Sequence, residues 1–246
     1  MTSARAIETR DLTRRFGSRV AVDRLNLSVN RSEVYGFVGP NGAGKTTTIR
    51  MLLGLIAGSS GEIELLGRRV RRGSVDLAGV GALVDKPGFY PHLSGIDNLN
   101  VLNTTRRSSI PRPQLIVAMN LAGLDPIDRR PVKHYSTGMR QRLALACAVA
   151  SEPELVILDE PTDGLDPVGI ADLRGAIQRL ASNGVTVFLS SHLLSEVERV
   201  CTRIGVLVNG HLVQEGPPDE IARSEGREGT LEEAFLDLAR PADRRQ

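Results

Sequence analysis

Short apolar runs rich in β-branched residues alternate with turn residues over the first forty positions. Those at 6–12, 20–29 and 34–38 have strand length and predict three strands leading into a glycine-rich segment. The apolar spacing then changes. Ile49, Leu52, Leu53 and Ile56 recur at helical intervals, which predicts a helix over 46–56 stopped by Gly58 and the turn residues Ser59-Ser60-Gly61. Strands are expected at 62–66 and 80–84, and helices at 94–103 and 114–122, kept apart by Pro111 and Pro113. From Glu154 the alternation returns, with strand 155–158, helix 168–180, strand 185–189, helix 193–200 and strand 203–208. Asn209-Gly210 between two apolar runs is a two-residue hairpin signal. Residues 231–238 predict a short amphipathic helix ahead of a charged end at 240–246. The pattern reads as an α/β body split by a helical insert at about 86–150, without repeats or low-complexity stretches.

A chain of 246 residues is long enough to bury a large core, roughly 70–75% of its unfolded surface. Cys147 lies in an apolar run and Cys201 follows a helix-like segment, so both are expected to be packed thiols in a reducing compartment rather than metal ligands. No apolar run approaches the ~20 residues of a spanning helix, and the start carries no secretory signal, so the chain is expected to be soluble. A formal net charge of +2 is too weak to argue for nucleic acid. The arginine pairs 14–15, 68–69, 71–72, 106–107 and 129–130 fit solvated surface, or contact with acidic partners or lipid head groups.

The most specific segment is Gly39-Pro40-Asn41-Gly42-Ala43-Gly44-Lys45-Thr46, which satisfies the phosphate-loop pattern G-x-x-x-x-G-K-[ST] at every fixed position. Its glycines let backbone N–H groups turn toward phosphate oxygens, and the following helix, with Thr47 in its first turn, offers its positive end to the same anion. Only three of the 31 basic residues are lysines, Lys45, Lys86 and Lys133, which makes a lysine here informative. A nucleoside triphosphate is the expected ligand. The apolar strand 155–158 runs into Asp159-Glu160, at the strand end where parallel sheets present ligands. Asp159 is expected to hold Mg²⁺ together with the Thr46 hydroxyl, leaving Glu160 to polarise a water.

Three further segments carry a family resemblance: 135–143 (Tyr-Ser-Thr-Gly-Met-Arg-Gln-Arg-Leu), 161–167 (Pro-Thr-Asp-Gly-Leu-Asp-Pro) and Ser190-Ser191-His192. Their order and spacing around Asp159-Glu160 resemble the signature motif, D-loop and switch histidine of ATP-binding cassette (ABC) proteins, over about 7–238. The resemblance implies an α/β phosphate-loop NTPase fold of ABC ATPase type, with an N-terminal antiparallel β region and an inserted helical subdomain. In that scheme 1–85 and 151–217 form the RecA-like and β core, 86–150 the helical and signature subdomain, and 218–246 a C-terminal helix and tail.

It further implies a head-to-tail dimer, either a homodimer or a paired cassette. There Ser136, Thr137, Gly138 and Met139 of one chain close over ATP bound to the phosphate loop of the other, with Asp166 at the seam. Phe16 resembles the aromatic that stacks on adenine, His192 the residue that steadies the attacking water, and Lys45 the cation on the γ-phosphate. His92, His134 and His211 are expected to be structural. Asp85 stands where the family usually has a glutamine that touches Mg²⁺ and the membrane partner, and Thr137 and Met139 replace the usual Gly and Gln. A carboxylate at 85 binds Mg²⁺ more strongly but cannot donate a hydrogen bond, so Asp85 is expected to sense the metal and tighten coupling.

These variants look like the branch serving antibiotic, peptide and drug export. The expectation is a cytoplasmic ATPase, peripheral on the inner membrane face, using ATP and Mg²⁺ to drive a separate transmembrane permease, with no nucleic acid. The alternative is a soluble cassette ATPase acting as a scaffold in DNA repair, translation or cofactor assembly. The absence of long heptad stretches and of a tandem cassette weighs against it.

Overall fold

The computed structural model describes residues 5–71, 76–85, 88–104, 109–223 and 229–239. Arg72, Lys86, the arginine pair 106–107 and the charged end 240–246 lie outside them. Two sheets organise the chain. Strands β1 (Arg5–Phe16), β2 (Arg19–Asn30), β4 (Ser60–Leu65) and β5 (Arg68–Arg69) form a four-stranded sheet in the order β2-β1-β4-β5. Its pairings are all antiparallel. The second sheet contains β3 (Val34–Val38), β6 (Val80–Leu83), β7 (Leu155–Leu158), β8 (Thr186–Ser191), β9 (Arg203–Val208) and β10 (His211–Gly216), in the order β10-β9-β3-β8-β7-β6. All its pairings are parallel except β9 with β10. The three opening strands therefore do not form one unit: only β3 enters the parallel sheet.

The period of two in the parallel strands divides the interior into two cores. Val34 and Val38 of β3, Val156 and Leu158 of β7, and Val187 and Leu189 of β8 face one core. Their neighbours Tyr35, Phe37, Leu155, Ile157 and Phe188 face the other. The first core is completed by α2 (Gly95–Thr104), α3 (Arg112–Leu121), α4 (Thr137–Val149), α5 (Pro167–Ser182), α6 (Leu194–Val200), α7 (Pro218–Ala222) and α8 (Leu231–Ala239). The second is filled from the antiparallel sheet and from α1 (Lys45–Leu52). With both faces covered, the central strands read as continuous apolar runs. Tyr35 stacks on Phe188 with ring centroids 5.6 Å apart, and its hydroxyl donates to Glu215 at 2.7 Å. Burial and the neighbouring Glu215 push the Tyr35 pKa well up, and burial alone pushes the Cys201 thiol up.

Helix α1 is shorter than its apolar spacing predicts. Gly54 takes φ +66° and ends it at Leu52, and the N–H groups of Leu55 and Ile56 turn back to the Arg50 carbonyl at 2.9 and 3.2 Å. The hairpin at Asn209-Gly210 forms as expected, with φ of +50° and +84°, the left-handed pair of a type I′ turn. Arg68, Arg69 and Arg130 are held in ion pairs with Asp76, Glu62 and Asp128, as expected of solvated surface. Among the described residues no helix is long and apolar enough to cross a membrane.

Strand β6 approaches α4 so closely that a Cβ at Gly81 would run into the Ala148 carbonyl, a backbone group that cannot rotate away. Gly81→Ala is therefore expected to destabilise the fold by about 1–3 kcal/mol, lowering the melting temperature by about 2–4 °C for each kcal/mol. Gly88→Ala, which meets nothing within 4 Å, serves as the control. Equal thermal midpoints for the two variants would contradict this packing.

Candidate functional site

Parallel register brings three strand ends to one edge. Val38 pairs with Ser191 across β3 and β8, and Leu158 with Leu189 across β7 and β8. The residues that follow β3 and β7, and those that end β8, therefore converge there. Pro40, Asn41, Gly42, Gly44, Lys45, Thr46 and Thr47 line a cavity of about 400 Å³ together with Phe16, Arg19, Ala21 and Glu160.

The loop takes its shape from backbone freedom and two tethers. Gly42 and Gly44 sit at φ +80° and +114°, values that a side chain would strain. The Gly210 N–H donates to the Ala43 carbonyl at 2.9 Å, so the β9–β10 turn clamps the loop from outside. Lys45 Nζ donates to the Gly39 carbonyl at 2.6 Å from within. Helix α1 has no side-chain cap, so its first-turn N–H groups, those of Lys45, Thr46 and Thr47, lack intrahelical partners at the cavity wall. This is an anion site by construction.

Lys45 is 5% exposed and lies 3.0 Å from Glu160 Oε1. The other oxygen of Glu160 is 2.8 Å from His192 Nδ1. Asp163 stands 3.8 Å from the same ring nitrogen. Glu160 holds φ +44°, a left-handed value rare for a side-chain-bearing residue. Ser190 anchors that backbone. Its Oγ accepts from the Glu160 N–H at 2.8 Å and donates to Asp159 Oδ1 at 2.6 Å, fixing both carboxylate residues at once. Sequence reasoning gave Ser190 no role, nor Arg19 or Asp163. The signals were Ser190's place in the Ser-Ser-His triplet and Arg19's place across a tight turn from Phe16.

Other expected site residues are held elsewhere. Asp85, 67% exposed and at φ +63°, is gripped by Arg50 Nη2 at 3.0 and 3.2 Å from its two oxygens. Ser136 caps α4, accepting from the Met139 N–H at 3.1 Å, and Asp166 caps α5, accepting from the Gly169 N–H at 2.7 Å. The two helix starts abut: a Cβ at Gly138 would lie 3.4 Å from the Gly169 Cα. None of Ser136, Thr137, Gly138, Met139 and Asp166 lines the cavity.

The chain is similar to known proteins over most of its length. A family model described as ABC transporter matches residues 22–163. Over 223 residues the chain is 42% identical to the bacitracin transport ATP-binding protein BcrA of Bacillus licheniformis, covering 88% of this chain and 71% of that protein. It is 39% identical over 209 residues to the lantibiotic transport ATP-binding protein SrtF of Streptococcus pyogenes, covering 85% and 90%. Its fold matches cbiO1 of Clostridium perfringens with a TM-score of 0.81 over 91% of this chain and 93% of that one, at 23% identity. With its phosphate cradle and the paired acids after β7, the chain belongs to the ABC transporter family, as an ATP-binding and ATP-hydrolysing subunit.

Proposed function

We propose that two such cassettes close on ATP, hydrolyse it, and so power a separate membrane permease that exports an antibiotic, peptide, drug or lipid. The observation that carries this reading is the buried contact of Lys45 with Glu160 at 3.0 Å. An incoming γ-phosphate competes with Glu160 for Lys45, so binding substrate and freeing the base are one event. The freed carboxylate keeps its contact with His192 and accepts a proton from water as that water attacks the γ-phosphorus and the bond to the β–γ bridging oxygen breaks, releasing ADP and phosphate. His192 steadies the water and the γ-phosphate, and Lys45 offsets the charge that develops on the phosphate oxygens. Phe16 carries the adenine.

The Thr46 hydroxyl and the Asp159 carboxylate are hard oxygen donors of the kind Mg²⁺ takes, and Ser190 fixes the orientation of Asp159. When bound, the ion would neutralise charge on the phosphates. Asp85 reaches that ion only by leaving Arg50. Ser136 and Gly138, at the start of α4, have a hydroxyl and an unobstructed N–H to offer a phosphate on another chain, and Asp166 lies beside them at the seam. This motivates the dimer, homodimeric or with a paired cassette.

We infer that 86–150 is a helical arm, since its helices fall between β6 and β7, which are neighbours in the sheet. It docks the permease, while 1–85 with 151–217 hold nucleotide and α7 and α8, in the C-terminal part from 218, pack on the first core. The subunit then works from the cytoplasmic side, peripheral on the inner membrane face. The names of BcrA and SrtF favour export of a peptide antibiotic over a scaffold role in repair, translation or cofactor assembly.

Glu160→Gln is expected to cut ATP turnover by on the order of 10²–10⁴-fold. It should leave MgATP affinity equal or tighter, because Lys45 loses a competing anion, and the dimer should persist on gel filtration with ATP. Near-normal turnover would refute the assignment. Asp85→Gln is expected to shift the Mg²⁺ concentration at which ATPase activity is half-maximal and to loosen its stimulation by the permease. An unchanged metal dependence and unchanged stimulation would remove Asp85 from the site.

A further inference from the structure

The ring of Phe16 is 48% exposed at the end of β1, where it lines the cavity. Its position has a cause among residues that do not line that cavity. The Arg14 guanidinium carbon lies 4.4 Å from the Phe16 ring centroid, within the range of a cation–π contact. Arg14 stands over that ring and is not among the residues lining the cavity. The same guanidinium donates from Nη1 to the Ala57 carbonyl at 2.8 Å, in the loop that follows α1. Its Nε is buried with no hydrogen-bond partner, so the group is placed by the ring and by one carbonyl rather than by a polar network.

We propose that Arg14 is a positioning residue for the nucleotide base: it fixes Phe16 as a stacking platform and ties that platform to the loop beyond the phosphate-binding helix. The proposal rests on the reading that Phe16 carries the adenine. A phenyl ring with both faces free is a poor platform, because it must be ordered when the base arrives. With the cation already on one face, the ring is ordered beforehand and only the other face remains for the base. The link through Ala57 sets the distance between base platform and phosphate cradle, so a nucleotide meets both at once. An arginine suits this better than a lysine, since its planar fork can stack and donate sideways together.

The test is calorimetric binding of MgADP, and of Mg-pyrophosphate as a probe without a base, to the full chain and to Arg14→Ala, Arg14→Gln, Arg14→Lys, Phe16→Ala and the Arg14→Ala/Phe16→Ala pair. Arg14→Ala is expected to raise the Kd for MgADP roughly three- to tenfold while leaving pyrophosphate unchanged. Arg14→Lys should recover part of the loss. In the Phe16→Ala background, removing Arg14 should add nothing, because the two act through one ring. Arg14→Gln removes the cation and keeps a donor for Ala57. It carries the test should Arg14→Ala fail to fold, and it is expected to show the same loss.

An MgADP affinity that falls in Phe16→Ala but not in Arg14→Ala or Arg14→Gln overturns the proposal and leaves the base-stacking reading intact. So do effects of the two residues that simply add, or an equal loss of pyrophosphate binding. An MgADP affinity unchanged in Phe16→Ala overturns both.

Discussion

A lysine ammonium buried at the start of α1 is the constraint around which this molecule is arranged. A charge at 5% exposure is costly unless it is paired and hydrogen-bonded, and Lys45 is both: Glu160 lies at 3.0 Å and the Gly39 carbonyl at 2.6 Å. Those partners come from distant parts of the chain. Gly39 follows β3 and opens the loop, whereas Glu160 follows β7, two strands away across β8. Only a parallel sheet in register brings them together, and only with its two faces packed into separate cores is that register rigid.

The same constraint orders the groups around Glu160. Glu160 sits where an anion is needed, held by Lys45 on one oxygen and His192 on the other, on a left-handed backbone pinned through Ser190. A triphosphate is a stronger anion than a carboxylate and comes with more donors to meet it, from the loop and from the start of α1. In the proposed mechanism, exchange of partners at Lys45 ties occupancy to reactivity. The starts of α4 and α5 lie outside this cavity, and in the proposed dimer they would form its second wall and tie reactivity to assembly with another cassette.

Much of this was legible in the sequence where local rules act. Strands β7 and β9 have the predicted bounds, and the Asn209-Gly210 turn forms as its two left-handed residues require. The phosphate loop was legible because glycine spacing and a rare lysine coincide. Local rules failed where a single residue outweighs a pattern: the apolar spacing of 46–56 ran through Gly54, whose positive φ stops the helix at Leu52. They also failed for contacts made across the fold. Asp85 and Arg50, Ser190 and Asp159, and Arg14 and Ala57 are all far apart in sequence, and no spacing foretells that they meet. Asp85 is the instructive case, since its motif position suggested a metal while the fold gives it a guanidinium.

The central claim is that Lys45 exchanges Glu160 for the γ-phosphate. A crystal structure of the unsubstituted chain with Mg²⁺ and a non-hydrolysable ATP analogue tests it most directly. The account predicts Lys45 Nζ in contact with a γ-phosphate oxygen, and the Glu160 carboxylate withdrawn from the 3.0 Å contact while still beside His192. A triphosphate bound with the Lys45–Glu160 contact intact would contradict it.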